Sequence, residues 1–414
     1  MPARGNGGSA CARISRRTRL AIGTTWLSPP VSAPTHGWTQ AALIYAGAVL
    51  IGVNLVAVPS SSAYLKALHG LTDQQYGSVF LPQLVMAITG ALAAGPAVKR
   101  LSLKTMYIVA LVLLCLSLTA LALSVTTADF ALPLLMVSTG LFGLGFGFGG
   151  GPLNGLVCQE FPKRMDSALT ALHMLAGAGL MVGPLYFGAM EATGYWLLGP
   201  VVAALAAAVL LFAVVLLVSS DRPRLASALA DDEPAASSYF WIMIALALFY
   251  GCVEATFSNW AVIFAREARG LDSASVAATL SGFWAGLTIG RFLATVMLGR
   301  FKATPLWFVL PFLMIAALSL TPYSSGSAQV IAVFVLGGLA CSAFFPLLVS
   351  VASRPFPHAV SWIASMLTAS LMCGVGIMSY LIGYLLQEMT IESIYSLTAI
   401  FPVLMLALMA LRRN

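Results

Sequence analysis

The chain has 414 residues, 60% of them hydrophobic and only 8% charged, with a mean hydropathy of +0.94. A soluble domain is about a quarter charged, so the composition excludes one and points to a polytopic helical membrane protein. The net charge of +7 does not imply a nucleic-acid partner. Its basic residues fall in short segments between apolar runs, where they act as topology signals.

Residues 1–37 carry Arg4, Arg13, Arg16, Arg17 and Arg19, are rich in Ser, Thr, Gly and Pro, and hold no acid. Transit peptides share that composition, and a disordered basic cytoplasmic tail is the expectation here. From Trp38 onward twelve apolar runs follow, near 38–62, 76–98, 105–125, 131–157, 167–190, 195–218, 239–264, 275–298, 305–321, 329–351, 360–386 and 394–411. A transmembrane helix takes about 20 residues, so each is long enough, or nearly so, to span.

Charge sets the orientation. With the N-terminus inside, the cytoplasmic segments hold seventeen of the 21 basic residues, from the N-terminal arginines through Lys99, Arg100 and Lys104 to Arg412 and Arg413. The outer segments hold only Lys66, Arg266 and Arg269, together with Asp73, Asp129, Glu191, Glu267, Asp272, Glu388 and Glu392. That positive-inside bias puts both termini in the cytoplasm, and a bacterial inner membrane is the expected location. Between the sixth and seventh runs, residues 219–238 form a polar stretch with Asp221-Arg222-Pro223-Arg224 and Asp231-Asp232-Glu233-Pro234. It reads as a linker between an N-terminal half, 38–218, and a C-terminal half, 239–414.

The halves repeat. Gly70-Leu71, Gly90 and Arg100 recur 200 positions later as Gly270-Leu271, Gly290 and Arg300. Gly143, Phe161-Pro162, Gly179 and Gly188 recur 195 positions later as Gly338, Phe356-Pro357, Gly374 and Gly383. The expected fold class is therefore an all-α membrane protein with twelve transmembrane helices in two six-helix parallel repeats, the architecture of major facilitator transporters. The loop Gly95-Pro-Ala-Val-Lys99-Arg100-Leu-Ser102-Leu-Lys104 resembles the signature of that superfamily, G-x-x-x-D-R-x-G-R-K/R. Gly95, Arg100 and Lys104 match, while Lys99 replaces the acid, Ser102 the second glycine and Leu103 an arginine. The resemblance implies a gating role for Arg100, where the family's halves meet on the cytoplasmic side.

Two charges lie deep in apolar runs, Glu254 and Arg291. A charge in hydrocarbon costs about 3 kcal/mol or more, so it survives mainly where it lines a cavity or has a partner. Glu254 lies ~22 Å into the seventh run and Arg291 ~12 Å from the inner end of the eighth. Their depths then differ by ~10 Å on opposite sides of the midplane, which leaves a direct ion pair strained. Glu254 is the expected coupling residue, with Tyr250, Asn259 and Trp260 on the same cavity face. Gly290 and Arg291 close a helix motif, and Arg291 is expected to be structural, snorkelling to the cytoplasmic surface.

Phe249-Tyr250-x3-Glu254-x5-Trp260 and Phe283-Trp284-Ala-Gly286-Leu287-Thr-Ile-Gly290-Arg291 are similar to helices of the fucose permease and sodium/glucose-transporter-like branch. This resemblance implies uptake of a sugar-like solute coupled to a proton or sodium ion, with Trp260 and Trp284 against the substrate. Unlike that branch, the first and fourth runs hold no acid, and Asn54 and Asn154 are the polar candidates there. His173 reads as a neutral histidine bonded to a neighbouring helix, and Gln83 as packing. Gly179-x3-Gly183-Pro184-x3-Gly188 resembles an antiporter signature and supports a rival reading, drug or metabolite efflux in exchange for protons. A third reading is a transporter-shaped sensor that does not translocate. The six cysteines have no metal or disulfide spacing, and no nucleotide-binding loop or hydrolytic set is present. Neither a cofactor nor enzymatic activity is expected, and the partners implied are a small-molecule substrate, a proton or sodium ion and the lipid bilayer, around a monomer.

Overall fold

A computed structural model describes residues 37–218, 237–298, 303–356 and 360–411. The tail up to Thr35-His36, residues 219–236 of the expected linker, and Arg300, Pro357, Arg412 and Arg413 lie outside the described residues.

Among the described residues, twelve helices have the length and apolarity to cross a membrane: Trp38–Leu55, Asp73–Val98, Leu103–Thr126, Ala128–Glu160, Ser167–Ala192, Leu198–Leu217, Ser238–Asn259, Ser273–Leu298, Pro305–Tyr323, Gly326–Ser353, Trp362–Leu385 and Ile391–Leu411. They are called the first to twelfth spans below. Each overlaps its expected run, and no strand occurs among the described residues. Hydrocarbon cannot solvate backbone N–H and C=O groups, so the chain must satisfy them internally, as helices do.

The two six-helix repeats share local detail that only a duplicated scaffold explains. The first span stops at Leu55 and continues as the short broken pieces Ala57–Ser60 and Ser62–His69. The seventh stops at Asn259 and breaks up in the same way through Phe264–Ala268. Both broken stretches end on a left-handed glycine, Gly70 at φ 61° and Gly270 at φ 62°, a conformation that costs a side-chain-bearing residue about 1 kcal/mol or more. Two residues later each chain caps the next span. Thr72 Oγ1 accepts from Gln75 N (3.1 Å) while Gln75 Oε1 accepts from Thr72 N (2.9 Å), a capping box. Asp272 accepts from Ser275 N (3.0 Å) and from the Ser275 hydroxyl (2.9 Å), bonds that hold its carboxyl below the usual range.

Packing is duplicated too. A Cβ on Gly179 would strike the Val49 carbonyl, joining fifth span to first, and one on Gly374 would strike the Leu248 carbonyl, joining eleventh to seventh. Such close approach is available only to small residues and drives helix association where no hydrophobic effect operates. The halves meet along two pseudo-equivalent crossings. Gly188 packs on Ala277, fifth span on eighth, and Gly383 packs on the Asp73 backbone, eleventh span on second.

Candidate functional site

Glu254 sits one turn beyond Tyr250 in a helix that is otherwise closed. Tyr250, Val253, Ala255 and Phe257 have no accessible surface, whereas Glu254 keeps some. Accessible surface at so packed a depth marks a cavity rather than the lipid face. Its near neighbours are the Tyr250 hydroxyl and the charge of Arg291.

What brings Arg291 there is a break in the tenth span. The helix interrupts at Ser342-Ala343, between Gly326–Cys341 and Phe344–Ser353. Pro346 has no N–H to give the carbonyl four residues back, which is that of Ser342. Arg291 Nε supplies the missing donor at 3.1 Å, and the Tyr250 hydroxyl donates to the adjacent Cys341 carbonyl at 3.0 Å. Gly290 makes this possible, since a Cβ there would run into the Ser342 side chain. The guanidinium is therefore drawn toward the middle of the protein instead of snorkelling to the cytoplasmic surface. The side chain leans toward the helix N-terminus, the outer end in the charge-based orientation, as helical side chains do. Despite the ~10 Å expected from depth, Arg291 thereby comes near enough for Glu254 to feel its charge. No ion pair joins Glu254 to Arg291 among the described residues, so the pair act through space.

Arg291 also faces the fifth span. Gly188 opposite Ala277 and Gly177 opposite Thr288 fix an antiparallel register between fifth and eighth spans. One turn further in, that register sets His173 opposite Arg291, and the two are electrostatic neighbours. The expectation of a buried, bonded His173 is corrected. The ring is exposed on an interhelical face and makes no hydrogen bond among the described residues. Ser281, Trp284 and Thr288 continue the same stripe of the eighth span, and each has a buried polar atom without a partner. An unmet buried donor costs about 1–3 kcal/mol, which a bound solute or water would recover.

The remaining candidates divide. Asn154 in the fourth span is half-buried with an unpartnered Oδ1, open to a ligand. Asn54 is occupied, its Nδ2 donating to Ser117 Oγ at 3.2 Å, with Ser138 closing a knot of first, third and fourth spans. Asn259 and Trp260 do not share a face with Glu254: five residues carry Asn259 about 140° round the helix, and the helix ends before Trp260. Asn259 Nδ2 bonds Ser379 Oγ (2.8 Å), and its carbonyl accepts from Tyr76 across the halves (2.7 Å). Trp260 is fully buried, edge-on to Tyr76 at 5.2 Å, with Nε1 unpartnered. Both belong to a closure at the outer end. Arg100 is exposed at the end of the second span, and Lys104 of the same loop bonds the Val215 carbonyl of the sixth span, within its own half.

Sequence reasoning missed the rest of that closure. Lys66 Nζ pairs with Glu267 at 2.8 Å and Arg266 Nη2 with Glu191 at 2.9 Å, each cation reaching into the opposite half. Gln74 bonds Gln387 at 2.9 Å beside them. Lys66 and Arg266 stand 200 positions apart, the spacing of Gly70 and Gly270, and that was the available signal.

The sequence matches the family model of the Major Facilitator Superfamily over residues 41–330. No curated protein sequence matches the chain. Several solved structures share its fold. A D-xylose–proton symporter is 15% identical, with a TM-score of 0.74 over 91% of this chain and 97% of that one. A variant of the nucleoside transporter NupG is 15% identical, with a TM-score of 0.73 over 90% and 99%. A variant of the E. coli fucose:proton symporter FucP is 16% identical, with a TM-score of 0.61 over 91% and 98%.

Proposed function

Because the chain belongs to the major facilitator superfamily, we propose that it is a secondary active transporter that couples uptake of a small polar solute to a proton through Glu254. It is an integral, multi-pass membrane protein with twelve spans, and the positive-inside bias supports both termini being cytoplasmic. The proposed halves are 38–218 and 239–414, joined by a linker at 219–238.

One observation carries the coupling role. Glu254 is the acid set deep within a described span, it borders a cavity, and it feels Arg291 without being locked to it. An acid bonded into an ion pair has no reason to exchange its proton, whereas this one can be neutralised and released as the halves rock. The interhelical closure at the outer end, with Lys66–Glu267 and Glu191–Arg266, supports a conformation whose site opens inward. Asn154, Trp284 and Thr288 are the proposed substrate-facing groups, while Tyr250, buried with its hydroxyl on the Cys341 carbonyl, joins Arg291 and Gly290 in holding the tenth-span break beside them. The D-xylose–proton and fucose:proton symporters share the fold, which keeps a hydroxylated, sugar-like solute as the leading substrate class. The antiporter-like glycines of the fifth span lose weight as a rival sign. Gly179 and Gly183 pack on the first span and Gly188 on the eighth, so packing accounts for them.

The test is uptake by proteoliposomes in sodium-free buffer with an imposed inward proton gradient, using labelled sugars and organic acids. Gradient-driven accumulation that Glu254→Gln abolishes, with substrate exchange retained, is the expected result. Accumulation undiminished in Glu254→Gln removes the coupling role, and flux driven only by an outward movement of solute favours antiport.

A further inference from the structure

We propose that the transported solute carries an anionic group of the carboxylate class, and that this group binds Arg291 and His173 in the crevice between the fifth and eighth spans. The proposal deepens, and rests on, the reading of the chain as a transporter.

Three observations carry it. The first is an unfilled fork. Arg291 spends only Nε on the protein, on the Ser342 carbonyl at 3.1 Å. Its Nη1 and Nη2 bond nothing among the described residues, and the side chain is half-buried. Those two nitrogens present the planar donor pair that matches a carboxylate bidentately. The second is convergence. The register that stacks Gly188 on Ala277 and Gly177 on Thr288 sets His173 opposite Arg291. His173 is exposed on this packed face and without a hydrogen bond, so a ring N–H is available to the same anion. Thr288 Oγ1, buried and unpartnered, lies one turn from Arg291 on its side of the crevice.

The third is asymmetry. The second and eleventh spans make the pseudo-equivalent crossing, and there the counterparts of Arg291 and His173, by the 200- and 195-residue spacings, are Ala91 and Thr368. Thr368 bonds back to its own helix at Ala364. The scaffold therefore packs without a basic pair at this level, and the pair in the other crossing is an addition to it.

Charge balance ties the anion to the cation. The charged and titratable groups around the crevice are Arg291 and His173, with Glu254 and Tyr250 from the seventh span and Cys341 from the tenth. With Glu254 ionised, its charge offsets that of Arg291. With Glu254 protonated, the guanidinium is left uncompensated in a medium where an unpaired charge is expensive. A proton on Glu254 and an anion on Arg291 thus favour one another, and the two would cross together without moving net charge.

Thermal stability of the purified full-length protein tests this, because a ligand that binds only the folded state raises the melting midpoint. The probes are matched pairs: D-glucuronate with D-glucose, lactate with propane-1,2-diol, and benzoate with benzyl alcohol. The expected result is a midpoint raised by at least one carboxylate and not by its neutral partner. Arg291→Gln should weaken that carboxylate about tenfold or more, since it removes a charge-assisted, bidentate contact. Arg291→Lys should weaken it as well, because charge remains but the fork is gone. His173→Ala breaks no bond of the fold, so it serves even if Arg291→Gln does not fold, and it should weaken the carboxylate without affecting a neutral solute. The proposal is overturned if no carboxylate shifts the midpoint, if neutral partners shift it equally, or if these variants leave binding unchanged. Carboxylate binding without gradient-driven flux would sink the transport reading and leave the anion site standing. Glu254-dependent accumulation of a neutral sugar, with no carboxylate binding, would do the reverse.

Discussion

The two halves of this protein have nearly the same skeleton and very different chemistry. Gly52 and Gly179 bring the first and fifth spans into backbone contact, and Gly251 and Gly374 do so for the seventh and eleventh. Yet where the seventh span carries Tyr250 and Glu254, the 199-residue spacing of Gly52 and Gly251 places Ile51 and Leu55 in the first. In the first span the one deep polar candidate is spent on its own half, Asn54 on Ser117, while Asn154 and His173 stay open in the fourth and fifth. In the C-terminal half the open groups are Glu254 without an ion pair, Arg291 with two free nitrogens and Trp284 with an unpartnered Nε1. Duplication supplied a symmetric skeleton, and the proposed coupling residue, Glu254, stands on one side of it.

The sharpest way to break this comparison is Glu254→Gln. A proton gradient of one pH unit can sustain about tenfold accumulation by a one-to-one symporter, since 1.36 kcal/mol is a factor of ten. The variant should lose all of it and equilibrate. If accumulation persists, the asymmetry is structural and not functional. Next come the glycines, where the halves should behave alike. Gly179→Ala and Gly374→Ala each place a methyl group against a carbonyl of the partner helix, an overpacking that costs about 1–3 kcal/mol. Both should lower the melting midpoint by similar amounts, and a large inequality would mean the halves are not equally held. Asn54→Ala should cost less, about 1 kcal/mol of stability for one buried hydrogen bond, and should leave the Michaelis constant for transport unchanged. A marked rise in that constant would return Asn54 to the substrate site.

The fold was legible because the bilayer permits so few solutions. Twelve apolar runs and two series of spaced glycines sufficed to place helices and repeats. The site was legible only in part. Glu254 stood out because an acid in hydrocarbon has no bland role. Arg291 was read as snorkelling because its direction depends on a break in another helix, and that break follows from Pro346 and the Ser342 carbonyl it leaves without a donor. Asn259 and Trp260 were placed with Glu254 because they follow it closely in sequence, but they point elsewhere: the helix stops at Asn259 and turns Trp260 into the outer closure. His173 was given a partner by default, and its exposure became visible only once the register of fifth and eighth spans was known.

The outer closure offers the subtlest test, because there the two halves contribute alike. Lys66 reaches Glu267 and its counterpart Arg266 reaches Glu191, across the same boundary in opposite directions. Partly exposed ion pairs contribute below about 1 kcal/mol each, too little to hold the fold but enough to shift a balance between open and closed states. Lys66→Ala and Arg266→Ala should each raise the outward-open population by no more than about fivefold. Ala261, fully buried beside Trp260, is a suitable reporter when replaced by cysteine. Its labelling by a membrane-impermeant maleimide from the outside should quicken modestly in either variant and further in the double variant. Raised salt should quicken it without either substitution, by screening the same pairs, and should add little in the double variant. If one pair carries the whole effect, the closure is as lopsided as the cavity beneath it, and the symmetry of this protein ends at its glycines.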